Sequence, residues 1–188
     1  MTKIPEPGTL AVLGADALGR RFALAALRAG YATILEDFRA DVIERARRDV
    51  MASLAAAGAV AASARLSVAR TVEDACRSAE FVVDTTVDDA ELKLEIFSLL
   101  DKFARPGAVC ATIAASISIA ELGAITYRPE LCVGLRLAAD AAGSEFLTIV
   151  RALKTSEEAV RACADFARRA GWRSAIEMEA AAPSGETR

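Results

Sequence analysis

The chain has 188 residues, 54% of them hydrophobic, with a formal charge of -3 and no histidine. That length and apolar share predict one α/β domain with a full core, and the mild acidity gives no footprint for nucleic acid or anionic lipid. The missing imidazole excludes Ser-His-Asp and Cys-His catalysis and histidine-ligated metal. No metal is expected, and proton transfer is left to carboxylates, Lys, Tyr, Cys or water.

Apolar strand-like runs alternate with helix-like stretches along the chain, the pattern of a mainly parallel sheet with helices on both faces. The first strand covers about 9–13 and leads into Gly14-x-x-x-x-Gly19, and a helix runs from Leu18 to about Ala29. This is close to the glycine turn that opens a dinucleotide-binding unit, but its middle position carries Asp16. A second strand, 31–36, ends at Asp37, and a helix over 39–57 alternates charged and apolar faces.

Small residues connect Gly58 to Ala64, and a short strand at 66–70 precedes Thr71, which heads a helix with Glu73 and Asp74 in its first turn. Strand 80–86 is strongly apolar, and the next helix starts at Asp88 and Asp89 and runs to about 103, where Arg105-Pro106-Gly107 breaks it. A strand at 108–114, a short helix at 118–125 and strands at 132–137 and 146–153 follow. A helix over 155–170, capped by Thr155 or Ser156, and a strand at 173–179 complete the order. One domain is expected over 1–183, with 184–188 as a disordered tail.

No apolar stretch reaches the roughly 18 residues of a membrane span. The start, MTKIPEPGTL, runs into the first strand without a signal-peptide core. Cys76, Cys110, Cys132 and Cys163 show no paired spacing and read as buried free thiols in a reducing, cytoplasmic setting.

The stretches VLGADALGRRFALAALRAGYATILED, FVVDTTVDDAELKLEIFSLLDKF, ATIAASISIAEL, and RPELCVGLRL followed by FLTIVRALKTSEEAV stand in a telling order and spacing. Together they resemble the NAD-binding domain of the 3-hydroxyacyl-CoA dehydrogenases over about residues 8–183. The resemblance implies a Rossmann-like doubly wound sheet of about seven or eight strands, with NAD as cofactor. It sets Gly14, Ala17, Leu18 and Gly19 at the pyrophosphate and Asp37 at the adenosine ribose hydroxyls. Asp88 and Lys93 fall near cofactor and substrate, although by local context they read equally as a helix-start carboxylate and a solvated lysine.

The family's catalytic positions hold other residues. The general-base histidine falls on Arg136, after Gly134-Leu135, and the glutamate that orients it falls on Thr148. The serine that polarises the substrate oxygen falls on Ala115, with Ser116 beside it, and Ala139 and Asp140 replace an asparagine and a proline. Groups that act as a unit are lost as a unit, so the family's dehydrogenase mechanism is not expected. The family's helical second domain, which closes over acyl-CoA and supplies much of its dimer contact, would follow Pro183. An open site, or one covered by a second copy or a separate partner chain, is expected.

Asp16 bears directly on the cofactor. Two unit charges about 4 Å apart repel by roughly 4 kcal/mol at an effective dielectric of about 20, more than the roughly 0.3–1 kcal/mol of helix-dipole attraction. The expectation is that its carboxylate caps the helix, accepting from the amides near Leu18 and Gly19 that a phosphate would use. The favoured reading is a binding or subunit-type protein that kept the fold and lost the chemistry. The alternatives are an NAD-dependent oxidoreductase with a proton path through Asp88, Lys93, Ser116 or Tyr127, and a domain that holds a nucleotide or CoA ester through Asp37.

Overall fold

The computed structural model describes residues 7–139 and 143–180. Five strands run parallel: β1 Thr9–Leu13, β2 Ala32–Glu36, β3 Leu66–Ala69, β4 Phe81–Asp84 and β5 Val109–Thr112. β6 Cys132–Ala139 continues them, β7 Glu145–Arg151 turns back antiparallel, and β8 Arg173–Met178 runs parallel to β7. The eight-stranded sheet has the order β3-β2-β1-β4-β5-β6-β7-β8. The helices are α1 Ala17–Arg28, α2 Ala40–Ala56, α3 Val72–Cys76, α4 Ala90–Phe103, α5 Ile119–Ala124 and α6 Glu157–Arg169.

The apolar runs are continuous because both faces of the sheet are covered. Leu10, Val12, Phe81 and Val83 pack on one side with Phe22 of α1 and Phe166 of α6. Their neighbours Ala11, Leu13 and Val82 face the other way, onto Ile96 and Phe97 of α4 and Leu122 of α5. All four cysteines are buried and free, and burial pushes the Cys76 and Cys132 thiols up to about 11.

Two local readings shift. α4 begins at Ala90 because Asp89, not Asp88, caps it, accepting from the Leu92 amide at 2.9 Å. Strand β4 stops at Asp84, and Thr85 instead donates its hydroxyl to the Leu13 and Gly14 carbonyls at 2.8 and 3.1 Å, tying the end of β4 to the end of β1. At the last helix, Ser156 is the cap, while the Thr155 hydroxyl donates to the Cys132 carbonyl at 2.8 Å. The small-residue connection winds into a 3-10 turn over Val60–Arg65. Asp140 and the tail 184–188 lie outside the described residues.

Lys93 corrects the reading of a solvated lysine. It is fully buried, with Nζ 2.8 Å from Asp84 Oδ2 and 3.0 Å from the Thr86 carbonyl oxygen. Thr112 and Thr86 donate their hydroxyls to the same carboxylate at 2.7 and 2.6 Å and the Thr86 amide adds a bond at 3.0 Å, so each Asp84 oxygen accepts two hydrogen bonds. Removing one partner strands the other without water. Lys93→Ala is expected to lower unfolding free energy by about 3–5 kcal/mol, while Thr112→Val costs about 1 kcal/mol; urea denaturation of both variants checks the difference.

Candidate functional site

Strands β2 and β3 lie on one side of β1, and β4 to β8 on the other, so a crevice opens beyond the carboxyl ends of β1 and β4. Gly14 leaves β1 with φ +88, a conformation that favours glycine. A Cβ on Gly19 would lie 1.8 Å from the Gly14 carbonyl oxygen, so only glycine lets α1 start this close to the turn. The turn thereby aims the α1 amino terminus, with the amides of Ala17 and Leu18 in its first turn, into the crevice.

Asp16 does not do what its position suggests. Its backbone, at φ -70 and ψ -172, is ordinary extended structure, and its side chain makes no capping hydrogen bond. The carboxylate is 73% exposed and accepts from Arg39 Nη2 at 3.3 Å. Arg39 draws the charge away from the helix start, leaving those amides to a ligand.

Asp37 is the reverse case: it is placed for a ligand but occupied by its own chain. It is 3% exposed. Oδ1 accepts from the Arg39 amide at 3.0 Å and Arg39 Nε at 2.9 Å, and Oδ2 accepts from the Ala15 amide at 3.2 Å and Arg39 Nη2 at 2.8 Å. Burial pushes its carboxyl up, but the Arg39 side chain and these amides outweigh burial and hold it below the usual carboxylate range. The adjacent Glu36 is buried without such a counter-charge. Desolvation, and then the charge of Asp37, push it up to about 7, against a smaller opposing effect of the Gly14 amide.

A cleft of about 630 Å³ runs from Gly14 and Asp16 past Arg39 and Arg70 to an apolar wall that includes Ile96 and Leu99. A second cleft, of about 430 Å³, lies at the carboxyl ends of β5 and β6 and is lined by Ala115, Ser116, Arg136 and Glu179. Here Asp88, freed from α4, accepts from the Ala115 amide at 3.0 Å, the Ser116 amide at 3.1 Å and the Ser116 hydroxyl at 2.7 Å. Burial raises the Asp88 carboxyl, but the Ser116 hydroxyl, the two amides and the charge of Lys93 together hold it low. Arg136 stands opposite Thr148 in the β6–β7 register and pairs with Glu177 of β8. Glu179 accepts the Ala120 amide at 3.1 Å, engaging the start of α5.

The sequence-predicted residues thus divide between two places. Gly14, Asp16 and Asp37 line the first cleft, with Ala17, Leu18 and Gly19 at the α1 start beside it, while Asp88, Ala115 and Arg136 gather at the second. Lys93 lies beneath, out of solvent. Tyr127 does not reach either cleft; it is 95% exposed and its amide donates to Asp101, beyond the end of β5 where the chain has already returned through α5. Arg39 and Arg70, Glu36, Asp84 and Glu177 belong to the sites without having been read from the sequence. Arg39 had a local signal, two places after Asp37, whereas Glu177 lies 41 residues from Arg136 and had none.

A glycine turn carrying β1 into α1 at the crevice of a doubly wound sheet defines a dinucleotide-binding domain. The chain belongs to the family described as 3-hydroxyacyl-CoA dehydrogenase, NAD binding domain, whose model matches residues 9–180. It is 27% identical over 174 residues to 3-hydroxybutyryl-CoA dehydrogenase of Bradyrhizobium diazoefficiens, covering 88% of this chain and 59% of that one. Against the mitochondrial hydroxyacyl-coenzyme A dehydrogenase of Sus scrofa it is 25% identical, covering 85% of this chain and 55% of the relative. The fold superposes on the crystal structure of 3-hydroxybutyryl-CoA dehydrogenase from Escherichia coli with a TM-score of 0.83 at 23% identity, covering 93% of this chain and 39% of that one. The chain therefore spans little more than half the length of these curated relatives.

Glu36 sets a pH dependence. Its pKa rises on folding from 4.5 to about 7, so between those values the native state holds more protons and stability falls as pH rises. From about pH 5 to about pH 8 the urea-unfolding free energy is expected to drop by up to about 3 kcal/mol, with Glu36→Gln removing most of the slope.

Proposed function

We propose that this chain binds a nicotinamide adenine dinucleotide in the first cleft as a binding or subunit-type protein, without the family's hydroxyl oxidation. The observation that carries the second half is the capture of Ser116 by Asp88. The Ser116 hydroxyl and the amides of Ala115 and Ser116 follow the end of β5, and all three are engaged by one carboxylate. A serine hydroxyl has a single proton to donate, so none is left to polarise a substrate oxygen.

The base is missing as well. A bound nicotinamide ring supplies a hydride acceptor, but oxidation of a hydroxyl also needs a group to take its proton. Arg136 carries hydrogen-bond donors and no acceptor, and it is already paired with Glu177. Thr148, opposite it, has no charge with which to orient a base.

Binding is better supported than chemistry. The α1 amino terminus supplies amides and a favourable dipole for a pyrophosphate, and the charge of Asp16 is turned toward Arg39 rather than over those amides. Ile176 and Met178, both exposed on the edge strand β8, support a second copy or a partner chain as cover for that side.

The test is a fluorescence titration with NADH beside an assay with NAD and 3-hydroxybutyryl-CoA. NADH is expected to bind without turnover; turnover that disappears in Ser116→Ala overturns the non-catalytic assignment. Asp16→Gly is expected to change NADH affinity less than about threefold, whereas a carboxylate over the phosphates would make the change about a thousandfold.

A further inference from the structure

We infer that the ribose end of the first cleft selects a phosphorylated ribose, so that the dinucleotide bound is the 2′-phosphorylated form, NADP(H), rather than NAD(H). This rests on the dinucleotide reading above and concerns only which form enters.

Recognition of an unmodified ribose at the end of β2 requires a carboxylate with free lone pairs for two hydroxyl donors. A carboxylate offers about four such positions. In Asp37 all are taken: two hydrogen bonds to each oxygen, from the Arg39 amide, Nε and Nη2 and from the Ala15 amide. With only 3% of its surface exposed, Asp37 has no oxygen left to turn toward a ribose.

What the cleft meets instead is the group Asp37 holds. Arg39 is gripped through Nε and Nη2, which fixes the plane of its guanidinium, while 42% of its side chain stays exposed on the cleft wall. Asp37 is thereby a positioning residue for a cation rather than an acceptor for a sugar. A fork held in this way loses little conformational freedom on meeting a phosphate.

A second cation stands beside it. The Asp37 amide donates to the Ala69 carbonyl at 3.4 Å, one step beyond the Glu36–Ala69 register pair, which brings Arg70 alongside at the carboxyl end of β3. Arg70 is exposed, lines the same cleft, and forms no ion pair among the described residues. Phe38, with the Arg39 guanidinium 5.7 Å from its ring centroid, adds an exposed aromatic face between the strand end and the cleft. The carboxylates nearby bear on Arg39 rather than on Arg70: Asp37 and Asp16 both pair with the Arg39 guanidinium, Glu36 titrates near neutrality, and Arg70 keeps its charge for the cleft. Two guanidiniums flanking the place of a ribose are suited to a phosphate on it.

The experiment is calorimetric titration of the full chain with NADPH, NADH and coenzyme A, whose adenosine carries a 3′-phosphate, at low and at high salt. NADPH is expected to bind about tenfold or more tightly than NADH, with the preference shrinking as salt rises. Arg70→Ala, an exposed change that leaves the Asp37 bonds intact, is expected to reduce the NADPH-to-NADH affinity ratio about tenfold. Arg39→Lys, which keeps the charge but loses the fork, is expected to reduce it too, with thermal melting confirming that the variant is folded. Equal affinity for NADH and NADPH overturns this inference and leaves the dinucleotide reading standing. Binding of coenzyme A alone, or of none of the three, overturns the dinucleotide reading itself.

Discussion

The ion pair of Lys93 with Asp84 is the constraint around which the crevice is built. Neither group reaches water, so each depends on the other and on the hydroxyls of Thr86 and Thr112. Asp84 ends β4, Thr112 ends β5, and Lys93 comes from α4, so one cluster fixes the ends of two central strands to the helix that walls the first cleft. Thr85 extends the tie to β1 and the glycine turn. The geometry of both clefts follows from this joint, because the segment that starts at Thr86 carries Asp88 to the far side of it.

Around that joint, carboxylates of this chain fill places where a ligand would otherwise supply the oxygen atoms. Asp88 takes the amides and hydroxyl at the end of β5, and Glu179 takes an amide at the start of α5. Asp37 is filled in the opposite sense, as an acceptor whose donors are all internal. The start of α1 is the exception: its nearest carboxylate, Asp16, is turned out to Arg39. The two clefts therefore differ in kind. The first keeps donors in reserve for an anion, and the second has the Ala115 and Ser116 donors engaged by Asp88, which is what the proposed separation of binding from catalysis rests on.

Much of this was legible in the residues before any coordinates. The alternation of β-type and helical periodicity, with runs such as FVVD and AVCAT too apolar for a half-exposed sheet, corresponds to strands covered on both faces. Gly14 and Gly19 announced the turn because their spacing has a steric meaning that local geometry bears out. The absence of histidine spoke directly to chemistry, since no fold can create a side chain the chain does not carry.

Side-chain direction was the part the sequence left open. Asp16 follows a glycine turn and precedes a helix, which by local rules makes it a cap, yet Arg39 reaches it across the crevice from the next strand's end. Lys93 has the helical context of a solvated residue and is buried because Asp84, nine positions earlier, ends its strand beneath it. Periodicity and the glycine spacing thus determined a mainly parallel sheet covered on both faces and the turn after its first strand, because those depend on backbone sterics and on which residues avoid water, while the doubly wound order came from the family resemblance. Which carboxylate pairs with which cation was decided only by tertiary structure, because a charge takes its partner from whatever the fold brings within a few ångströms, not from its neighbours in the chain.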